Sequence, residues 1–159
     1  MKAKDGVLDF LNRILTAELT AIHQYLLHAE MCGNWGYGRL HHSVRELALE
    51  EVDHVQQVIH HILYLEGAPN MQRLGPINVG ATVPDQFKFD LKLEQEDLAL
   101  LREAVAHCAK VGDYSTRHML EDMAVETEEH IDWMETQLET IKQAGLENYL
   151  AEQIKKESS

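Results

Sequence analysis

Apolar side chains recur every three or four residues along most of this chain, the spacing that places them on one face of an α-helix. Charged residues fall between them and form the opposite face. Four long segments follow this pattern, and no segment shows the alternation typical of a β-strand. We therefore predict five helices, the last of them short, over about residues 5–34, 39–66, 83–111, 114–145 and 147–156.

The expected ends of these helices carry local signals. Gly67 and Pro69 follow the second segment and should stop it, since glycine ends helices and proline cannot continue them. Thr82, with Pro84 two residues later, is the expected N-cap of the third helix. Asp113 is the expected N-cap of the fourth.

The connections indicate how the helices are arranged. The first two segments, and likewise the third and fourth, are separated by only a few residues, so each pair should form an antiparallel hairpin. Residues 67–82 have no helical period and are long enough to run the length of a bundle. Two hairpins joined by one long crossover are the connectivity of ferritin-like four-helix bundles. We predict an all-α fold of this kind in a single domain over 1–159, with the bundle at about 5–145.

Composition and charge exclude several functional classes. The chain has 159 residues, with 14 Lys and Arg against 27 Asp and Glu and a formal net charge of −13, which argues against nucleic-acid binding and favours cations. No apolar run is long enough to span a membrane, and the chain begins without an apolar secretory segment. Cys32 and Cys108 are too few for a disulfide scaffold, so we expect packing residues in a cytoplasmic protein.

Several acidic and imidazole side chains occupy the apolar stripes of the predicted helices. Glu18 lies four residues after Ile14 and four before Ile22, in the middle of the first stripe. The same reasoning places at least one Glu or His on the core face of each other long helix: Glu51 and His54 on the second, Glu94 on the third and His130 on the fourth. Buried carboxylates without partners cost several kcal/mol each. A shared cation would neutralise them, and this donor set suits iron or manganese better than zinc.

The spacing of these residues is close to that of carboxylate-bridged dinuclear bundles. Such bundles use one Glu from each of two helices and a Glu-x-x-His pair from each of the other two. Glu51 and His54 form one complete pair, whereas the second reads Thr127-Glu128-Glu129-His130 and lacks its carboxylate. Glu126, one turn below His130, is either a terminal ligand at the edge of the site or, like Glu128, a solvated acid.

Short segments along nearly the whole chain have the pattern of one known family. They are Leu11-Asn12, Glu18-Leu19, Ala21-Ile22, Gln24-Tyr25, Asn34-Trp35-Gly36, Leu65-Glu66-Gly67, Pro69-Asn70, Asp90-Leu91, Leu93-Glu94, Asp113-Tyr114, His130-Ile131-Asp132-Trp133 and Gly145-Leu146-Glu147-Asn148-Tyr149-Leu150. On these segments the chain resembles the bacterioferritins. The resemblance implies cages of twenty-four subunits, which oxidise ferrous iron at a di-iron centre in each bundle and store ferric mineral. It also implies that Glu18, Glu51, His54, Glu94 and His130 stand at ligand positions, with Tyr25 beside the centre.

Two positions depart from that family. Thr127 stands where the sixth ferroxidase ligand is expected, so oxidation by this chain should be impaired. Val52 stands where the family places a haem-binding methionine, and an aliphatic side chain offers iron no lone pair, so haem should be absent. Met31 and Met71 are expected to be packing residues and not replacement ligands.

Acidic residues near the centre offer weaker candidate metal contacts. Glu46 and Glu50 are four residues apart on the second helix, and by resemblance they face the interior of a cage, as does Glu126. The alternative is that all three lie on an ordinary solvated face. None of the remaining eight histidines shows ligand spacing: His23, His28, His41, His42, His60, His61, His107 and His118.

Three functional hypotheses follow. The leading one is an iron-storage subunit of a homo-oligomeric 24-subunit cage with an incomplete di-iron centre. The second is a non-catalytic shell and nucleation subunit that co-assembles with a ferroxidase-competent or haem-binding partner subunit. The third is a di-metal oxidase or peroxidase that forms no cage. The oxidant and the electron donor for iron release stay open in all three.

Overall fold

The computed structural model describes residues 1–155, and over this range it contains five α-helices and no β-strand. The two predicted hairpins are present, because the first helix packs along the second and the third along the fourth, and the first helix also contacts the third. The four long helices and the short fifth confirm the predicted all-α bundle architecture. Their bounds are Val7–Asn34 (α1), Gly38–Tyr64 (α2), Val83–Val111 (α3), Tyr114–Ala144 (α4) and Leu146–Gln153 (α5).

The predicted N-caps are confirmed. Thr82 accepts a hydrogen bond from the backbone N–H of Asp85 at 3.3 Å, and Asp113 accepts one from that of Thr116 at 3.1 Å. Each bond satisfies one of the backbone donors that the first turn of a helix leaves without a partner. The caps therefore fix where α3 and α4 begin.

The second helix ends earlier than predicted, at Tyr64 and not at Glu66. Glu66 has a φ of 61°, the left-handed conformation that usually falls to glycine after a helix, and the N–H of Gly67 bonds the carbonyl of Ile62 at 2.9 Å. The periodicity continues through Glu66 because Leu65 is still buried, but the backbone has already turned.

Two apolar clusters fill the bundle, one towards each end. The first includes Leu11, Val58 and Leu101, and the second includes Tyr25, Leu47 and Met134. Along all four long helices, a short stretch of buried polar residues separates the members of one cluster from those of the other. The mid-section of the bundle is therefore polar, and this layer positions the candidate site.

The crossover follows α1 over several turns and is held there by hydrogen bonds. Polar side chains of α1 accept from its backbone N–H groups, and because they are spaced by four or eight residues they lie on one face of the helix. The crossover, which has no secondary structure of its own, therefore covers this face of α1. The acceptor–donor pairs are Asn12–Asn70 at 2.8 Å, Thr20–Gly75 at 2.8 Å, Gln24–Asn78 at 3.0 Å and His28–Gly80 at 3.1 Å.

Several peripheral predictions need correction or lie out of range. Leu26, predicted on the apolar stripe, is 44% exposed because it lies about 100° around the helix from the buried Tyr25. Met71, predicted to pack, is 49% exposed on the crossover. Cys32 and Cys108 are buried free thiols, as expected of packing residues. The fifth helix ends at Gln153 and not at the predicted residue 156, which itself lies outside the described residues. None of the described helices combines the length and the apolar character that crossing a membrane requires.

Candidate metal centre

The predicted ligand residues meet in the polar mid-section of the bundle. Glu18 comes from α1, Glu51 and His54 from α2, Glu94 from α3 and His130 from α4. All five are buried, and none is more than 4% exposed. Each occupies the apolar stripe of its helix, so the folding that buries the neighbouring Leu and Val side chains also brings these polar groups together.

The donor atoms form two groups that share one residue. One ligand atom each from Glu18, Glu51 and His54 lie within 4.8 Å of one another, and so do one each from Glu51, Glu94 and His130. Within residues 1–155 these are the two clusters of this kind. Glu51 belongs to both, so its carboxylate stands between two adjacent positions that fit a cation.

Both histidines turn the same ring nitrogen towards the buried carboxylates. The Nδ1 of His54 lies 3.3 Å from Glu18 and 3.2 Å from Glu51, and the Nδ1 of His130 lies 3.3 Å from Glu51 and 3.5 Å from Glu94. Nδ1 is therefore the nitrogen that faces a cation in either position. A histidine in this role usually directs its other nitrogen to a second acceptor, which fixes the ring.

That second acceptor is a half-exposed carboxylate in each case. The Nε2 of His54 lies 2.5 Å from Glu126 of α4, and the Nε2 of His130 contacts Glu50 of α2. Each acid stands four residues before the histidine of its own helix but reaches the histidine of the other helix. The structure thus places Glu50 and Glu126 behind the imidazoles and outside both groups of donor atoms. Glu46 is exposed on α2.

The cluster is strongly coupled electrostatically. Burial favours the neutral form of His54, but hydrogen bonding and attraction from Glu51 and Glu126 outweigh it and raise its pKa to about 9. Burial also favours the neutral form of His130, but hydrogen bonding and attraction from Glu51 and Glu94 outweigh it and raise its pKa to about 11. The pKa of Glu51 falls to about 2, because the hydrogen bonds from both histidines outweigh its burial. Burial and repulsion from Glu51 raise the pKa of Glu94 to about 7.

The positive charge of the two protonated imidazoles thus offsets only part of the negative charge of the carboxylates. Within the described chain, four ligand atoms of the cluster make no well-aligned hydrogen bond, although two of them, Glu51 Oε1 and His130 Nδ1, lie 3.3 Å apart: Glu18 Oε1, Glu51 Oε1, Glu94 Oε2 and His130 Nδ1. Buried polar atoms of native proteins are almost always partnered. A metal ion would satisfy these oxygen and nitrogen atoms together, which is why the donor set fits a hard divalent cation.

Tyr25 lies beside the cluster, as the resemblance implies. It is fully buried, and its hydroxyl donates a hydrogen bond to Oε1 of Glu94. Burial and the neighbouring carboxylate of Glu94 raise the pKa of the phenol well above its usual range. The phenol therefore keeps its proton and orients the Glu94 carboxylate.

Thr127 occupies the position of the absent carboxylate and is fully buried. Its hydroxyl donates to the carbonyl of Met123 on the same helix at 2.9 Å, so its one proton is committed away from the cluster. Glu128 is exposed and pairs with Arg102 at 3.2 Å, and Glu126 is committed to His54. Neither neighbouring acid lies among the two groups of donor atoms.

The sequence analysis missed two sets of buried polar residues. Asp90 and Asp97 lie on the same face of α3 as Glu94, four residues before it and three after it, and both are buried. The same periodicity that selected Glu94 would have found them. Gln24 and His28 were missed because they follow the spacing of a solvated helix face, which the crossover covers.

Comparison with known proteins agrees with this architecture. Residues 8–144 match the family described as the ferritin-like domain. The chain is 40% identical over 152 residues to a bacterioferritin of Mycobacterium tuberculosis, covering 96% of each chain, and 39% identical to the bacterioferritin of Mycobacterium leprae over the full length of both. It is 39% identical to a bacterial ferritin of Synechocystis over 97% of this chain and 99% of that protein. The chain therefore belongs to the bacterioferritins, within the ferritin-like family.

Proposed function

We propose that this chain is an iron-storage subunit of a cage of twenty-four copies, in which Fe(II) binds at the mid-section of each bundle, is oxidised there and passes inward as ferric mineral. The observation that carries the proposal is the pair of donor groups that share Glu51 and bury unpartnered carboxylate oxygens. Family membership supports the storage role and the cage.

Two iron positions that share a carboxylate suit a two-electron reaction. Each Fe(II) gives up one electron, and the pair reduces one dioxygen to hydrogen peroxide with two protons, or one peroxide to two waters with two protons. Anionic oxygen donors favour the ferric product, because its higher charge gains more from each carboxylate. Holding both ions and the oxidant in one buried site keeps them in reacting geometry.

The chain's own residues have distinct roles in this scheme. Glu51 holds both ions, while Glu18 with His54 and Glu94 with His130 hold one each. Tyr25 fixes the orientation of Glu94 through its hydroxyl. Glu50 and Glu126 hold the two imidazoles with Nδ1 turned inward and, being half-exposed, present negative charge where iron would leave the bundle.

The centre as proposed is incomplete. Three carboxylates face two divalent cations, where a fourth at position 127 would neutralise the pair. The hydroxyl of Thr127 brings no charge, and its proton is already donated to Met123. The second iron should therefore be held loosely, and oxidation should be slower than at a six-ligand centre. The proposal includes no haem, because the half-buried Val52 offers iron no lone pair.

A second candidate function is favoured by the same threonine. In this role the chain is a shell and nucleation subunit, and a partner subunit in a mixed cage supplies the oxidation step. The exposed carboxylates of Glu50 and Glu126 suit the nucleation of ferric mineral, whereas the threonine at position 127 weakens the oxidation of iron. A purified homo-oligomer that mineralises slowly, and that a ferroxidase-competent partner accelerates in mixed cages, would favour this role.

Thr127→Glu, measured beside wild type, separates the two roles. The variant restores a carboxylate at the central position, so we expect Fe(II) oxidation in stopped flow to become about ten times faster or more, with two irons per subunit in the fast phase. Thr140→Glu is the matched control, since Thr140 lies exposed on the same helix. Size-exclusion chromatography of the same samples tests for the cage.

A wild-type fast phase of two irons per subunit, unchanged in Thr127→Glu, would contradict the incomplete centre. A small oligomer in all three samples would contradict the cage.

A further inference from the structure

Three buried acids lie on one face of α3, and they differ in what surrounds them. Asp90 accepts hydrogen bonds from Gln24 and His28, both at 2.8 Å, and Glu94 belongs to the metal centre. Asp97, one turn beyond Glu94, is 7% exposed, and its Oδ1 has no partner among the described residues. Nothing in the bundle fold requires an acid at this position, and an unpartnered buried carboxylate is costly.

A cavity lies beside Asp97. It has a volume of about 430 Å³ and is bounded by α1, α3 and the crossover, with Asp97, Ala17, Thr20 and Leu93 among the residues that line it. Each water of the bulk liquid takes about 30 Å³, so a hydrated cation fits there with room to spare. Three cationic residues also line the cavity: Arg13 lies 4.0 Å from Asp9, Lys92 lies 4.0 Å from Glu96, and Arg73 belongs to the crossover.

Electrostatics couple Asp97 to the metal centre. Burial raises the pKa of Asp97 well above its usual range, and repulsion from Glu94 and Glu51 raises it further. Residues three apart on a helix have Cβ atoms about 5–6 Å apart, so Asp97 and Glu94 are close enough to share one ion. Oε2 of Glu94 is also unpartnered, as is Oε1 of Glu18 on the facing helix.

We propose that Asp97 is an additional cation-holding residue, which binds a hard divalent metal ion together with the unpartnered oxygen of Glu94 on the α1–α3 side of the bundle. Asp97 belongs to neither group of three donor atoms, so it reaches the ion from the cavity side, outside the pair of positions that share Glu51. Waters in the adjoining cavity complete the coordination shell, as is usual for hard cations held by few carboxylates. This inference rests on the proposed function of the neighbouring centre and adds a residue to it.

Asp97→Asn tests the proposal, with Glu96→Gln as the matched control. Both changes remove one charge at the same cavity, but Glu96 is exposed and pairs with Lys92. Titrating the metal-free, full-length protein with Co²⁺ by calorimetry should show that Asp97→Asn loses one ion per subunit, or binds it about tenfold or more weakly, while Glu96→Gln matches wild type. A thermal melt in chelator should show Asp97→Asn at least as stable as wild type, because asparagine is neutral and similar in size at a position where burial and the neighbouring carboxylates disfavour a charged acid.

Unchanged Co²⁺ affinity and stoichiometry in Asp97→Asn would overturn the role of Asp97, while two ions per wild-type subunit would leave the proposed function standing. Wild-type protein that binds no Co²⁺ would contradict both. If Asp97→Asn does not fold, Asp97→Ala provides the same comparison with a smaller side chain. Equal weakening in Asp97→Asn and Glu96→Gln would also overturn the proposal, because it would reflect only net charge.

Discussion

Two buried polar clusters lie one helical turn apart in this bundle, and they are built differently. In the first, defined by Gln24, His28 and Asp90, the polar groups satisfy one another and also hold the crossover through backbone N–H groups. In the second, the metal centre, acids face acids and several donor atoms have no partner. A satisfied cluster stabilises the fold by itself, whereas an unsatisfied one needs a ligand.

The first cluster also has a defined protonation pattern. The N–H of Gly80 donates to Nε2 of His28, so Nδ1 carries the ring proton and donates it to Asp90. Asp90 accepts from Gln24 as well. Both ring nitrogens of His28 are thus used in hydrogen bonds, which leaves neither free to bind a metal.

The largest difference between the clusters should appear on substitution of Glu51. Glu51→Gln removes the one carboxylate that both groups of donor atoms share. We expect calorimetric titration with Co²⁺ to show loss of both ions, since each position keeps a single carboxylate. Retention of two ions at wild-type affinity would mean that Glu51 is not a ligand.

The satisfied cluster should respond in the opposite way. His28→Leu leaves the N–H of Gly80 without an acceptor and Asp90 without one donor, so the free energy of unfolding should fall by about 2–4 kcal/mol. Urea denaturation should give a similar decrease in chelator and in Co²⁺, because this cluster holds no ion. A variant with wild-type stability and weakened Co²⁺ binding would contradict the claim that this cluster stabilises the fold and holds no ion.

The pH dependence of the metal-free protein gives the smallest effect. The pKa of His54 is raised from 6.5 to about 9, so the stability that its proton contributes is complete below pH 6.5 and is lost as the pH rises through 9. The contribution of His54 to the free energy of unfolding in chelator should therefore fall on the order of 2 kcal/mol between pH 7 and 9, and the contribution of His130, with its pKa raised to about 11, falls in the same direction. Co²⁺ should bind more tightly over the same range, because it competes with fewer protons. Stability that rises with pH in chelator would contradict this assignment.

Helix periodicity was enough to predict both the bundle and the residues at its centre. Glu18 and Glu94 stand where leucine would be expected, and a charged residue in a hydrophobic stripe can be detected without any structure. The position of Thr127 within the incomplete Glu-x-x-His pair could be predicted for the same reason. The residues that meet at the centre therefore follow from local spacing alone.

Contacts that depend on tertiary structure could not be predicted in this way. Glu50 and Glu126 each reach the histidine of another helix, and no spacing within one helix encodes such a contact. The polar face of α1 at Thr20, Gln24 and His28 has the spacing of a solvated surface, since the segment that covers it has no period. Asp97 could have been identified from its position on α3, but the cavity beside it could not.

The central claim is that side chains from four helices converge on a shared pair of metal positions. Anomalous diffraction from crystals soaked anaerobically in Fe(II), with data collected at the iron edge, tests it most directly. We predict one peak among Glu18, Glu51 and His54 and a second among Glu51, Glu94 and His130, the second position being the weaker if Thr127 loosens it. Iron found only at surface acids, with no peak between the four helices, would contradict the account.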